Sequence, residues 1–157
     1  AAVGAPPATS DSTYVSEVPE DVLTLLPPKL ITSSSSCDKS GFSFEGALQL
    51  RCVVTADSSV GKAMGGLADG DDQWVTAWRD DQYARSNFIR YRDRTLPPGY
   101  ESRATSSGDR IVNYSTDDTY SSGFETVDRS TGLVLTFSVD SLDQGFTLST
   151  ELGFADR

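Results

Sequence analysis

The sequence predicts an α+β fold: an antiparallel sheet with one or two short helices packed on one face and one disulfide. Three observations carry this. Apolar residues alternate with polar ones over several stretches after Gly41, the signature of half-buried strands. Two segments, Pro19 to Leu26 and Asp80 to Tyr91, place acids at the head of a helical pattern. The only two cysteines, Cys37 and Cys52, bracket the first alternating stretches. A chain of 157 residues is near the common size of one domain and can bury a core without metal or oligomerisation. Its low hydrophobic and charged content, with abundant Ser, Thr, Asp and Gly, implies a modest core joined by long polar loops.

Residues 1–16 are small and polar, contain Pro6 and Pro7 and lack a hydrophobic face, so they predict a flexible arm that orders only against a partner. Residues 17–157 form the stapled domain. Pro19-Glu20-Asp21 opens a short helix carrying Val22, Leu23, Leu25 and Leu26, and Pro27-Pro28 stops it. The serine run 33–36 is a polar connector. Phe42 and Phe44 alternate with Ser43 and Glu45, and Leu48, Leu50 and Cys52 with Gln49, Arg51 and Val53, which gives two strands with Gly46 at the turn. In residues 56–73, Val60, Met64 and Leu67 have helical spacing, but Gly61, Gly65 and Gly66 weaken it, and the segment reads as loop. Trp74, Thr76 and Trp78 form a strand with Val75 and Ala77. The following helix presents Ala84, Phe88 and Tyr91 before Pro97-Pro98. A β-meander then runs through Ile111 to Tyr114, Phe124 to Asp128, Leu133 to Val139 and the alternating Phe146, Leu148, Thr150, Leu152 and Phe154.

The Ala-rich start and absence of an initiating Met are what a removed signal peptide leaves, with an excised fragment as the alternative. The expectation is an exported protein, secreted or held in the cell envelope. There a cysteine pair is normally oxidised, and closing a loop of about 15 residues contributes roughly 3 kcal/mol; two free buried thiols are the alternative. No apolar run approaches the roughly 20 residues that span a bilayer, so no direct membrane insertion is expected. A net charge of −10 repels nucleic acid and anionic lipid. Residues 79–110 reverse this sign, with seven arginines against five acids. They are either a solvated helix face paired with nearby Asp or a docking surface in which Arg85 and Arg92, with Trp74 and Trp78 beside them, meet a partner.

The chain has no histidine, which excludes Ser-His-Asp and Cys-His catalysis and imidazole metal sites. Carboxylate pairs, lysine, tyrosine or a hard cation remain. Ser59-Val60-Gly61-Lys62 matches the S-x-x-K pattern of serine acyl transferases, but no K-T-G follows, and the same residues lack the flanks of a phosphate loop. Asp69, Asp71 and Asp72 suit calcium in composition, yet Trp74 stands where the EF-hand loop needs glycine. Asp117-Asp118 and Asp140 with Asp143 are lesser clusters. No cofactor is expected. Trp74, Trp78, Tyr83 and Tyr91 could form an aromatic platform for sugar or peptide, although core packing is the plainer use of the tryptophans. Asn113-Tyr114-Ser115 is a glycosylation sequon.

One longer pattern joins Leu23-Thr24-Leu25-Leu26-Pro27, Cys37, Gly46 to Cys52, the Trp74 to Trp78 strand and the Tyr83 to Phe88 helix. In this layout residues 22–91 resemble extracytoplasmic domains attached to actinobacterial serine/threonine kinases and related exported proteins. The resemblance implies a cysteine pair bracketing a strand and a strand-helix step, and it transfers no catalytic residue. The expected function is a non-catalytic extracytoplasmic module acting through protein-protein contact. The alternatives are a secreted inhibitor or immunity-type protein, or a carboxylate- or calcium-dependent hydrolase.

Overall fold

Seven strands form a single sheet in the order β1-β2-β3-β7-β6-β5-β4, every neighbouring pair antiparallel. The computed structural model describes residues 19–64, 73–116, 122–139 and 141–155. Helices α1 (Glu20–Leu23) and α2 (Pro28–Ser33) precede β1 (Ser34–Phe42) and β2 (Leu48–Val54). Then come α3 (Ser59–Ala63), β3 (Gln73–Arg79), α4 (Asp81–Asp93), β4 (Tyr100–Ala104), β5 (Arg110–Ser115), β6 (Ser122–Asp128), β7 (Leu133–Val139) and α5 (Leu142–Glu151). The chain leaves β3 at mid-sheet, crosses one face as α4, starts again at the far edge as β4 and meanders back until β7 pairs with β3. The α+β class, the antiparallel sheet and the Cys37–Cys52 disulfide, which joins residues directly opposite across β1 and β2, stand as expected.

Alternation gives the sheet two unlike faces. Leu50, Cys52, Val75, Ala77, Leu135, Phe137 and Phe124 point to one of them and share a core with Val22, Leu26, Leu30, Val60, Leu148 and Phe154. Four of the five described helices cover this face. The opposite face holds a smaller core of Trp78, Ile111, Val127 and Val134, against which only α4 packs, through Ala84 and Phe88. Helices therefore lie on both faces, because the β3-to-β4 crossover must pass over one of them.

Local signals explain where the elements fall. Ser58 Oγ accepts from the Gly61 amide at 3.0 Å and caps α3, so the segment read as loop contains a helix. Gly61 belongs in that helix because a Cβ there would lie 2.1 Å from the Thr55 carbonyl oxygen. Asp80 Oδ1 accepts from the Tyr83 amide at 2.9 Å and caps α4.

The stretch from Phe146 to Phe154, expected as the last strand, is instead mostly helix α5, and Phe154 lies just past its end. Ser141 caps it, Asp143 sits in its first turn, and Gly145, Leu148, Ser149 and Leu152 make the buried stripe at helical spacing. Of the alternating residues only Leu148 and Leu152 share a helical face, and Gly145 and Ser149 complete that stripe without being large or apolar enough to reveal it, so the cap is the signal that decides for helix. A Cβ on Gly145 would stand 2.0 Å from the Phe124 ring, so its absence lets α5 lie directly on the sheet. There Phe124 stacks on Phe137 and takes the edge of Phe146.

Two further expectations change. Helix α4 buries Asn87 with Ala84 and Phe88, while Tyr91 is exposed. The serine run is not a connector: Ser33 ends α2 and Ser34 begins edge strand β1, and Phe42 and Phe44, expected to face a core, are exposed at and just beyond the end of that strand. The expected arm, residues 1–16, lies outside the described residues.

Candidate functional site

On the face under α4, strand register sorts side chains into three transverse rows. The first is apolar: Trp78 opposes Val134, Val134 opposes Val127, Val127 opposes Ile111 and Ile111 opposes Ala104. The amino-terminal half of α4 seals this row. Two residues along each strand, the same register gives Arg51, Thr76, Thr136, Glu125, Asn113 and Ser102, a polar row across six strands. The third row is the rim, with Trp74 on β3, Ser138 opposite Gly123 at mid-sheet and Tyr100 on edge strand β4. Beyond the sealed row helix and sheet enclose a cleft of about 510 Å3.

Hydrogen bonds fix the far half of the polar row. Tyr83, in the first turn of α4, donates its phenol proton to Glu125 Oε2 at 2.7 Å. Asn113 Nδ2 donates to Asn87 Oδ1 at 2.9 Å and to Glu125 Oε1 at 3.3 Å, while its Oδ1 accepts from the Ser102 hydroxyl. Asn87 Nδ2 is spent on the Tyr83 carbonyl at 2.9 Å. Burial, followed by the hydrogen bond to Glu125, pushes the Tyr83 phenol well above its ordinary range, so it remains a protonated donor. Both oxygens of Glu125 are thereby oriented with lone pairs to spare, and Glu125 lines the cleft.

The near half of the row is open. Thr76, Thr136 and Ser138 line the cleft, and their hydroxyls have no hydrogen-bond partner among the described residues. Among the described residues the buried unpaired polar side-chain atoms are Trp78 Nε1 and Thr126 Oγ1, so the Thr76 and Thr136 hydroxyls reach open space, and Ser138 is exposed. Gly123 adds room, since a Cβ there would meet nothing within 4 Å. The rim rings are half-exposed, and the Arg51 guanidinium covers one side of Trp74 at 4.9 Å from its centroid. Arg90 lines the helix side and has no described ion-pair partner.

The residues singled out from sequence are scattered. Trp74 is on the rim, but Trp78 is buried under α4 and offers no surface. Arg85 is exposed on the outer side of α4, and Arg92 is exposed and paired with adjacent Asp93 at 2.9 Å. Asp69, Asp71, Asp72, Asp117, Asp118 and Asp140 lie outside the described residues; Asp143 is exposed at the start of α5. Among the described residues no three acids, cysteines or histidines are grouped to hold a metal. Ser59 Oγ stands 3.5 Å from Ser33 Oγ, and Lys62 is exposed. The sequon residue Asn113 is buried in the site with its amide nitrogen occupied, which closes it to glycosylation in the folded chain.

Glu125, Asn113, Asn87, Thr76 and Thr136 went unmarked as site residues. Their signal lies in the alternation: Glu125 is two residues from buried Val127, Asn113 two from Ile111 and Thr136 two from Val134. A polar residue in an inward position of a buried strand implies a partner network or a cavity. No family model, no curated protein and no solved structure matches this chain.

Proposed function

We propose that the domain is a non-catalytic extracytoplasmic binding module, secreted or envelope-held, that receives its ligand in the cleft under α4. The observation that carries this reading is the polar row running into an open cleft whose volume falls in the ordinary range for ligand sites, about 300–1,000 Å3. The disulfide is consistent with an oxidising compartment. A binding role is favoured because Tyr83 and the Asn113–Asn87 pair hold Glu125 in one orientation at the cleft, an arrangement suited to recognition.

The test is a ligand-blind NMR screen of the full chain with sugars, amino acids, nucleosides, short fatty acids and short peptides. We expect saturable shifts at Trp74, Gly123, Glu125 and Thr136 for at least one class, lost in Gly123→Leu, which fills the cleft. No such shift for any class would refute the cleft reading.

Protein-protein contact is the second reading, favoured by the exposed Arg85 and by Phe42 and Phe44 at the hairpin tip. It predicts that Arg85→Glu with Arg92→Glu slows association with a partner protein and leaves folding unchanged. A lowered melting temperature in that variant would instead make these arginines structural.

A further inference from the structure

The cleft's unused hydrogen-bonding capacity narrows the ligand class, resting on the proposal that the cleft binds at all. After its internal bonds are counted, the site presents Glu125 lone pairs as acceptors, Arg90 as a donor, the Gln73 amide and three neutral hydroxyls, Thr76, Thr136 and Ser138, each able to donate and accept, beside the apolar Leu96 and Pro97. Two aromatic rings, Trp74 and Tyr100, stand at opposite ends of the rim row. Because Arg51 occupies one side of Trp74, only the other is left for a ligand.

Each simple ligand class leaves part of this set unsatisfied. A purely apolar molecule would strip water from the Glu125 and threonine oxygens without replacing it, at a cost of about 1–3 kcal/mol per group. An anion would meet the Glu125 carboxylate on the floor, and a cation would meet Arg90. A free amino acid would match both charges but leave the hydroxyls of Thr76, Thr136 and Ser138 unanswered. A sugar ring, with hydroxyls and apolar C–H faces together, answers both the polar groups and the apolar ones. Its hydroxyls each donate one bond and accept others, as the floor requires, and its flat C–H face suits the open side of an aromatic ring. We infer that the cleft is a carbohydrate subsite, in which Glu125, Thr76 and Thr136 bind ring hydroxyls and Trp74 takes the C–H face of a hexose or N-acetylhexosamine unit.

The experiment is NMR titration of the full chain with hexoses, N-acetylhexosamines, pentoses and uronic acids as mono- and disaccharides, with free amino acids as the rival class. The expected result is saturable binding of at least one saccharide, with shifts at Trp74, Gly123, Glu125 and Thr136 that vanish in Gly123→Leu. Glu125→Gln, which keeps the shape, should weaken that saccharide about tenfold to a hundredfold, as loss of a hydrogen bond to a charged group does. Thr136→Val should weaken it about threefold to tenfold. Failure of every saccharide to bind, or saccharide binding that survives Gly123→Leu, would overturn the inference. Amino-acid binding in the cleft without saccharide binding would overturn it too, while leaving the binding-module proposal in place.

Discussion

The sheet's two faces are built on the same strands but covered in opposite ways. On one face four short helices close over a mostly apolar core in which even the polar Thr126 and Ser149 are buried, and a glycine in α5 admits the Phe124 ring. On the other a single helix seals one row and then runs above a row of Thr, Glu and Asn that it does not fill. The difference teaches that stability and recognition are separated by face. The first face can lose almost nothing, whereas the second has been left with space and hydrogen-bonding capacity that folding alone does not use.

That contrast can be broken most severely at Phe124. Truncation to Ala should cost about 3–5 kcal/mol, because the ring is packed between β7 and α5 with no room to relax. Urea denaturation measures it, and a cost near zero would mean that this face is loosely packed. Replacing Cys37 and Cys52 together by Ser should cost roughly 3 kcal/mol for a cross-link spanning 15 residues. The loss should appear as a lower denaturation midpoint at unchanged far-UV signal.

On the cleft side the effects should be smaller. Asn113→Ala removes the centre of the network but leaves its partners beside open space, so about 1–2 kcal/mol is expected by the same measurement. Tyr83 adds a pH dependence. The fold holds the phenol proton more tightly than the unfolded chain, whose tyrosines titrate near 10, so above about pH 10 the folded state binds more protons and stability falls as pH rises. Tyr83→Phe should flatten that fall in denaturation curves compared between pH 8 and 11. An equal slope in both proteins would exclude Tyr83 as its source.

The fold was legible where a single signal dominated. Alternation from Leu48 to Cys52, the turn Asp128 to Gly132 ahead of Leu133 to Val139, and Asp80 ahead of α4 marked their elements. It was illegible where a buried stripe is only partly apolar. In α5 the alternating Phe146, Leu148 and Leu152 drew attention from the helical stripe Gly145, Leu148, Ser149 and Leu152, half of which is not apolar enough to show, and Ser141 settles the matter only if weighed as a cap. The site was less legible still. Trp74 was marked for its chemistry and does reach the rim, but Trp78, four residues further along the same strand and on the same face, lies under the helix. Glu125, Asn113 and Thr136 come from three strands, and only register brings them into one row.

The central claim, that one face is filled and the other open, is tested most directly by giving the same side chain to a glycine on each face and comparing melting temperatures. Gly123 in β6 has nothing within 4 Å of its Cβ position, and Gly145 in α5 has the Phe124 ring at 2.0 Å. The account predicts that Gly123→Leu melts within a few degrees of the parent, or slightly above it, since a strand gains from a side chain. Gly145→Leu should lose at least ~3 kcal/mol, about 6–12 °C for a domain of this size. Comparable losses in both variants would show that the cleft is closed in solution and would contradict the account.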